Sequence, residues 1–262
     1  MIDTDVQSAA TEVKTSWLAH YKPNANAKLR LFCFPYAGGS AMLFQSWSKS
    51  LPRTVEVCPV QPPGRGDRLR EQPFTRLQPL VQAAAESLRP FLDDMPFAFF
   101  GHSMGAMISF ELARLLRREG RAQPQQLFLS GSNAPQLAPQ SGSTGRHIHN
   151  LPAPELIEEL RRLNGTPREV LDHPELMELL LPIIRADMAV CETYTYTPEP
   201  PLDCAISAFG GLQDLEVPRE GVRAWHSQTR SSFAMWMFEG DHFFLHQALP
   251  QMLRIVSESC SN

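Results

Sequence analysis

Residues 101–105 read Gly-His-Ser-Met-Gly, so Ser103 sits between two glycines where an apolar strand-like run meets an amphipathic helical pattern. A serine in a G-x-S-x-G stretch with a strand before it and a helix after it has the setting of a nucleophile turn. Such a turn is strained and forces the backbone close to neighbouring segments, which explains the flanking glycines. Its hydroxyl stands at the C-terminal edge of the sheet, beside helix N–H groups that favour the negative charge of a tetrahedral intermediate. The chemistry suggested is acyl transfer through an acyl-serine.

A serine hydroxyl needs a base, and the chain holds eight histidines. His102 adjoins the serine on a tight turn and points away, as packing or polar filler. His20 is in the N-terminal leader, His147, His149 and His173 are in a helical insertion, and His226 is mid-helix. His242 follows the last strand-like run through FEGDHFFLHQ, a turn that returns to the same sheet edge, and is the expected base; His246, one turn on, is second choice. For the acid the expected chain order is Ser, then Asp or Glu, then His. Asp214 fits, because CAISAFGGLQD ends a strand in two glycines and a short loop. Asp203 is at the wrong end of that strand, Asp241 adjoins His242 and diverges from it, and Asp187 reads as a surface charge of the insertion.

The oxyanion needs two N–H donors. Met104 supplies one from the turn itself, and Ala37, in the glycine-rich CFPYAGGSA at 33–41, is the candidate for the other. Downstream, PPGRGDRLREQPF (62–74) approaches the same edge, and Arg65, Arg68 and Glu71 read as an ion-paired loop rather than substrate contacts.

These residues require a scaffold. Apolar runs at 29–34, 55–60, 97–100, 126–130, 204–209 and 233–238 alternate with helical patterns near 40–50, 75–92, 104–119, 218–229 and 245–259. Runs apolar on both faces and separated by helices predict an α/β fold with a mostly parallel sheet covered on both sides. The interruption from about 135 to 201 is helical and is expected to be a lid rather than a second domain. Residues 1–27 are expected to be a flexible leader, with one domain over 28–262.

The length of 262 residues suits one domain, and 43% hydrophobic residues with a net charge of −4 make nucleic acid an unexpected partner. The N-terminus lacks a signal-peptide pattern, no stretch suits a bilayer crossing, and five scattered cysteines without a CxxC pair argue against a disulfide frame or a zinc site. A cytoplasmic, monomeric protein that binds neither membrane nor metal is expected.

The stretches FCFPYAGGSA, VQPPGRGDRLREQPF, FGHSMGAMISFELARLL, LFLSGSNAP, FGGLQD and FEGDHFFL, in order over about 29–250, resemble the type II thioesterases that accompany polyketide and nonribosomal peptide synthetases. The resemblance implies an α/β-hydrolase fold with a helical lid over an acyl pocket. It also implies hydrolysis of acyl groups from the phosphopantetheine thiol of an acyl or peptidyl carrier protein, which edits or releases stalled chains. Ser103, Asp214 and His242 match the family's triad, and Ala37 and Met104 its oxyanion donors. No bound cofactor is implied, since the pantetheine belongs to the partner. Relatives often have Gly where Asp241 stands, a change able to move the local pKa. Alternatives are a general carboxylester hydrolase, a medium-chain fatty acyl thioesterase, an acyltransferase, against which the Ser-Asp-His order weighs, and an inactive binding module. Arg161 and Arg162 on the lid read as solvated charges rather than a carrier-binding patch.

Overall fold

The computed structural model describes residues 15–137 and 147–260. The six apolar runs form the strands β1 (Leu29–Phe34), β2 (Val55–Pro59), β3 (Phe97–His102), β4 (Gln126–Ser130), β5 (Ala205–Gly211) and β6 (Phe233–Phe238). All are parallel, in the order β2-β1-β3-β4-β5-β6. Alternate side chains feed two cores. Phe32, Phe34, Phe97, Phe99, Leu127 and Leu129 face one side, and Leu31, Cys33, Phe100, Phe128 and Phe209 the other. With both faces of β1 to β5 buried, these strands carry little polar alternation, which is why they read as apolar runs; the edge strand β6 is half-buried along its length.

Helices α1 (Leu77–Leu88) and α2 (Met104–Arg118) cover the first face, together with Trp225. Helix α7 (Leu249–Ser259) and the aromatic pair Phe44–Trp47 cover the second. Between β4 and β5 the insertion folds as α3 (Ala153–Leu163), α4 (Arg168–Leu171) and α5 (Pro174–Glu192), around a satellite cluster that includes Leu156, Leu160, Met177 and Ile184. Part of the expected lid, 138–146, lies outside the described residues. The remaining helix, α6 (Arg219–Arg223), precedes β6.

Three expectations change in detail. The helix expected over 40–50 is two 3-10 turns, Ala41–Phe44 and Trp47–Lys49: Phe44 and Trp47 both face inward at a spacing of three, the period of a 3-10 turn. The helix expected over 75–92 turns 3-10 at Arg89–Phe91, where Pro90 removes a donor, and that over 218–229 is α6 followed by a 3-10 turn to Gln228.

The leader also changes. Residues 1–14 lie outside the described residues, but 15–27 are held to the domain. Leu18 bridges Val60 antiparallel, and Gln61 N–H donates to the Trp17 carbonyl at 2.8 Å. Trp17 is buried with its ring 4.7 Å from the Arg68 guanidinium. Buried Glu56, paired with Arg30, accepts from Tyr21 Oη at 3.1 Å and Asn24 N–H at 2.7 Å. The polar composition of the segment hid these anchors.

Candidate active site

Ser103 joins β3 to α2 with φ +52° and ψ −113°, a conformation outside the comfortable regions for a side-chain-bearing residue. Such a residue costs about 1–3 kcal/mol and persists only when its surroundings impose it. Here they do. Ser103 N–H donates to the Ser130 carbonyl at 2.8 Å, and its own carbonyl accepts from Ala106 N–H at 3.0 Å. A Cβ on Gly101 would lie 2.0 Å from the Gly105 carbonyl oxygen, and one on Gly105 2.1 Å from that of Phe34. Both glycines are therefore required by close backbone approach. Met104 opens α2, so its N–H is among the helix donors without an intrahelical acceptor.

The acid and base loops are stitched together at the ends of β5 and β6. Leu212 N–H donates to the Phe238 carbonyl, Gln213 N–H to the Gly240 carbonyl, and Gly240 N–H to Gln213 Oε1. A Cβ on Gly211 would meet the Gly240 and Asp241 carbonyls at 2.6 and 2.5 Å, so glycine is what permits this approach. The stitching places Asp214 Oδ2 2.8 Å from His242 Nδ1. The Asp214 side chain is fully enclosed, and its Oδ1 accepts from the N–H groups of Glu216 and Val217 at 2.8 and 3.0 Å. A carboxylate only accepts, so the ring proton sits on Nδ1 and Nε2 is left as a lone pair.

Ser103, His242 and Ala37 line one cavity of about 310 Å³, whose walls include Met107, Phe110, Met188 and Trp225. Phe110 and Trp225 meet edge to face at 5.1 Å, and the indole N–H donates to the Ser132 carbonyl at 2.8 Å. An apolar cleft with a few convergent polar groups suits an acyl chain with its reacting carbonyl at the polar end. A larger open cleft of about 940 Å³ involves Ser46, Ser48 and Lys49, but its carboxylate, Glu56, is already taken by Arg30, Tyr21 and Asn24.

Five other histidines have other partners. His102 is buried, with Nδ1 2.8 Å from Ser130 Oγ and its ring 5.3 Å from that of His242. Burial first, then the nearby His242 and His246, hold its pKa well below the ordinary imidazole value. His246 lies 3.4 Å from Tyr36 Oη and stacks on Phe243 rather than meeting Asp214. His173 Nδ1 accepts from Leu176 N–H at the start of α5. His147, His149 and Glu192 bring ligand-type atoms within 4.8 Å of one another. The Glu192 carboxylate there already accepts from Ile148 N–H, His149 N–H and His149 Nδ1, which accounts for the grouping without an ion.

Two sequence expectations are corrected or refined here. Asp187 is not a surface charge: it is 3% exposed and pairs with Arg65, 5% exposed, across two contacts of 2.7 and 2.8 Å. Its place among Ile183, Ile184 and Val190 on the buried face of α5 is the signal sequence reading passed over, since a charge on an apolar face needs a partner. Asp241 turns away from the base, accepting from Phe243 N–H and from Asn164 Nδ2 of the lid, each at 2.9 Å. Of the ion-paired loop expected over 62–74, Arg68 is bonded to Glu71, whereas Arg65 pairs outside the segment, with Asp187. On the lid, Arg161 pairs with Asp172, and Arg162 with Glu159 and Glu216.

A parallel sheet that presents a serine on a strained strand-to-helix turn, with a carboxylate–imidazole pair on later loops of the same edge, defines an α/β hydrolase. The model of the thioesterase domain matches residues 29–260, and the chain belongs to the thioesterase family. It is 46% identical to the gramicidin S biosynthesis protein GrsT of Aneurinibacillus migulanus over 92% of both chains. Among solved structures it is similar to the type II thioesterase BorB from the borrelidin biosynthetic cluster, at 37% identity and TM-score 0.84 over 93% of this chain and 97% of that one. It is also similar to RedJ, a thioesterase of the prodiginine pathway in Streptomyces coelicolor, at 40% identity and TM-score 0.82 over 90% and 88%. Among the described residues no helix is long and apolar enough to cross a membrane.

Proposed function

We propose that this thioesterase hydrolyses acyl groups from the phosphopantetheine arm of acyl or peptidyl carrier proteins, clearing or releasing chains stalled on a peptide or polyketide synthetase. Ser103 is the nucleophile, His242 the base and Asp214 its orienting acid. Ser103 Oγ attacks the thioester carbonyl while His242 Nε2 takes its proton, and the oxyanion rests on the N–H groups of Ala37 and Met104. The C–S bond breaks, and the thiol leaves with the proton held by the imidazolium. Water then gives a proton to the same Nε2 and attacks the acyl-serine carbonyl; the C–O bond to Ser103 breaks, the imidazolium returns the proton to Oγ, and the acid is freed.

The observation that carries this reading is the Asp214–His242 hydrogen bond on a cavity shared with Ser103. The chemistry asks for no bound cofactor or metal, since the pantetheine arrives with the carrier. Five free cysteines suit a reducing cytoplasm, and a single chain supplies every group named.

The test is release of acyl groups from a loaded carrier protein, with simple oxygen esters and an acyl-length series alongside. Ser103→Ala should lower release by at least about a thousandfold with the fold unchanged. Retained turnover would remove this serine from the mechanism, and a preference for oxygen esters would return the chain to general carboxylester hydrolysis.

A further inference from the structure

The loop that carries Ala37 does not hold its shape by itself. Gly39 N–H donates to the Tyr36 carbonyl at 2.8 Å, closing a turn with Ala37 and Gly38 at its centre. Gly38 has φ +77° and Ala37 has no positive φ, the pattern of a type II turn. Such a turn differs from type I by a flip of its central peptide, here the one joining Ala37 to Gly38. The N–H of that peptide donates to Asp187 Oδ2 at 2.7 Å.

Asp187 lies on α5 of the lid, and the same oxygen takes Arg65 Nη1 at 2.7 Å while Oδ1 takes Nη2 at 2.8 Å. Arg65 Nη1 also donates to the Gly39 carbonyl at 3.0 Å. Gln61 adds a third hold, accepting from Ala41 N–H at 2.8 Å and donating to the Arg65 carbonyl at 3.0 Å. Apart from half-buried Gly38, the groups in these contacts are withdrawn from water, where hydrogen bonds to charge are strong and a lone charge is costly.

We propose that the buried Arg65–Asp187 pair positions the oxyanion loop: Asp187 fixes the central peptide of the turn, and Arg65 both anchors the next carbonyl and neutralises a carboxylate that would otherwise oppose the developing oxyanion. The pair touches no substrate and acts through Ala37, so the inference rests on Ala37 being an oxyanion donor. A bidentate fork explains why arginine is used, since lysine offers one point charge and cannot meet both carboxylate oxygens and the Gly39 carbonyl in one plane.

Two variants test it, each assayed well below its own melting midpoint on an acyl-loaded carrier protein. In Asp187→Asn one acceptor becomes a donor and the countercharge is lost: with the amide oxygen in the Oδ2 place Arg65 Nη2 loses its acceptor, and with the amide turned both Gly38 N–H and Arg65 Nη1 lose theirs. In the Arg65→Met, Asp187→Leu double variant apolar side chains replace the pair, a change that often preserves stability. The expected result in both is kcat lower by about ten- to a hundredfold, short of the loss from deleting an oxyanion donor outright, with KM nearly unchanged. Wild-type kcat in either folded variant, or a loss confined to KM, overturns the proposal; should the double variant fail to fold, the isosteric Asp187→Asn decides. Wild-type and Ser103→Ala controls keep the outcomes apart: a wild type that fails to hydrolyse the thioester, or an active Ser103→Ala, sinks the functional reading itself, whereas normal controls with an unimpaired Asp187→Asn sink only this inference.

Discussion

Asp214 divides its two oxygens between His242 and the backbone: Oδ2 meets His242 Nδ1 at 2.8 Å, while Oδ1 accepts the Glu216 and Val217 N–H groups. The division fixes how the residue responds to substitution. In Asp214→Asn the amide oxygen must stay with the two backbone donors, which turns the NH2 group toward Nδ1. The ring then accepts at Nδ1 and carries its proton on Nε2, where it cannot take one from Ser103. Thioester hydrolysis is expected to fall by about 10³–10⁴ in kcat with little change in melting temperature. A loss under tenfold would mean that Asp214 does not set the tautomer.

The enclosed His102 predicts a pH dependence of stability. Burial, with His242 and His246 nearby, keeps its pKa well below 6.5, whereas the unfolded chain has an ordinary imidazole. Below about pH 6.5 the unfolded chain therefore binds one proton more than the folded one, and stability falls as pH falls, by up to about 1.4 kcal/mol per unit. His246, also lowered by burial, adds to the same slope. Urea unfolding at pH 7.5 and 5.5 should show wild type losing roughly 1 kcal/mol more than His102→Gln over that interval. Equal losses in the two proteins would refute the assignment to His102.

The acyl cavity can be shortened from one wall. Met107 and Phe110 follow Ser103 by four and seven residues along α2, about 6 and 10 Å at the helical rise. Met107→Trp is expected to cut kcat/KM for octanoyl and longer thioesters at least roughly tenfold while acetyl turnover stays within about threefold. Equal effects on short and long chains would show that the acyl group does not run along this helix.

The strands and the acid–base order were legible because their signals are local. A strand dry on both faces is a short apolar run, and β1 to β6 were read almost to the residue. Ser103, Asp214 and His242 each follow such a run at its C-terminal end. What was missed depends on partners distant in the chain. Asp187 finds Arg65 122 residues away, and only its position on an apolar helix face hints that it is buried. Trp17 and Tyr21 are likewise single anchors in a polar segment, with no periodicity to reveal where they dock. The 3-10 turns at 41–49 bury Phe44 and Trp47 at a spacing of three, which a helical reading of the apolar residues masked.

The crossed hydrogen bonds between the segment after β5 and the segment after β6 make the carboxylate and the imidazole one mechanical part. A displacement at the β6 margin of the sheet is expected to carry the two together, so that what changes is their reach toward Ser103 at the β3–α2 junction. In the proposed reaction that reach is the gap the first proton must cross.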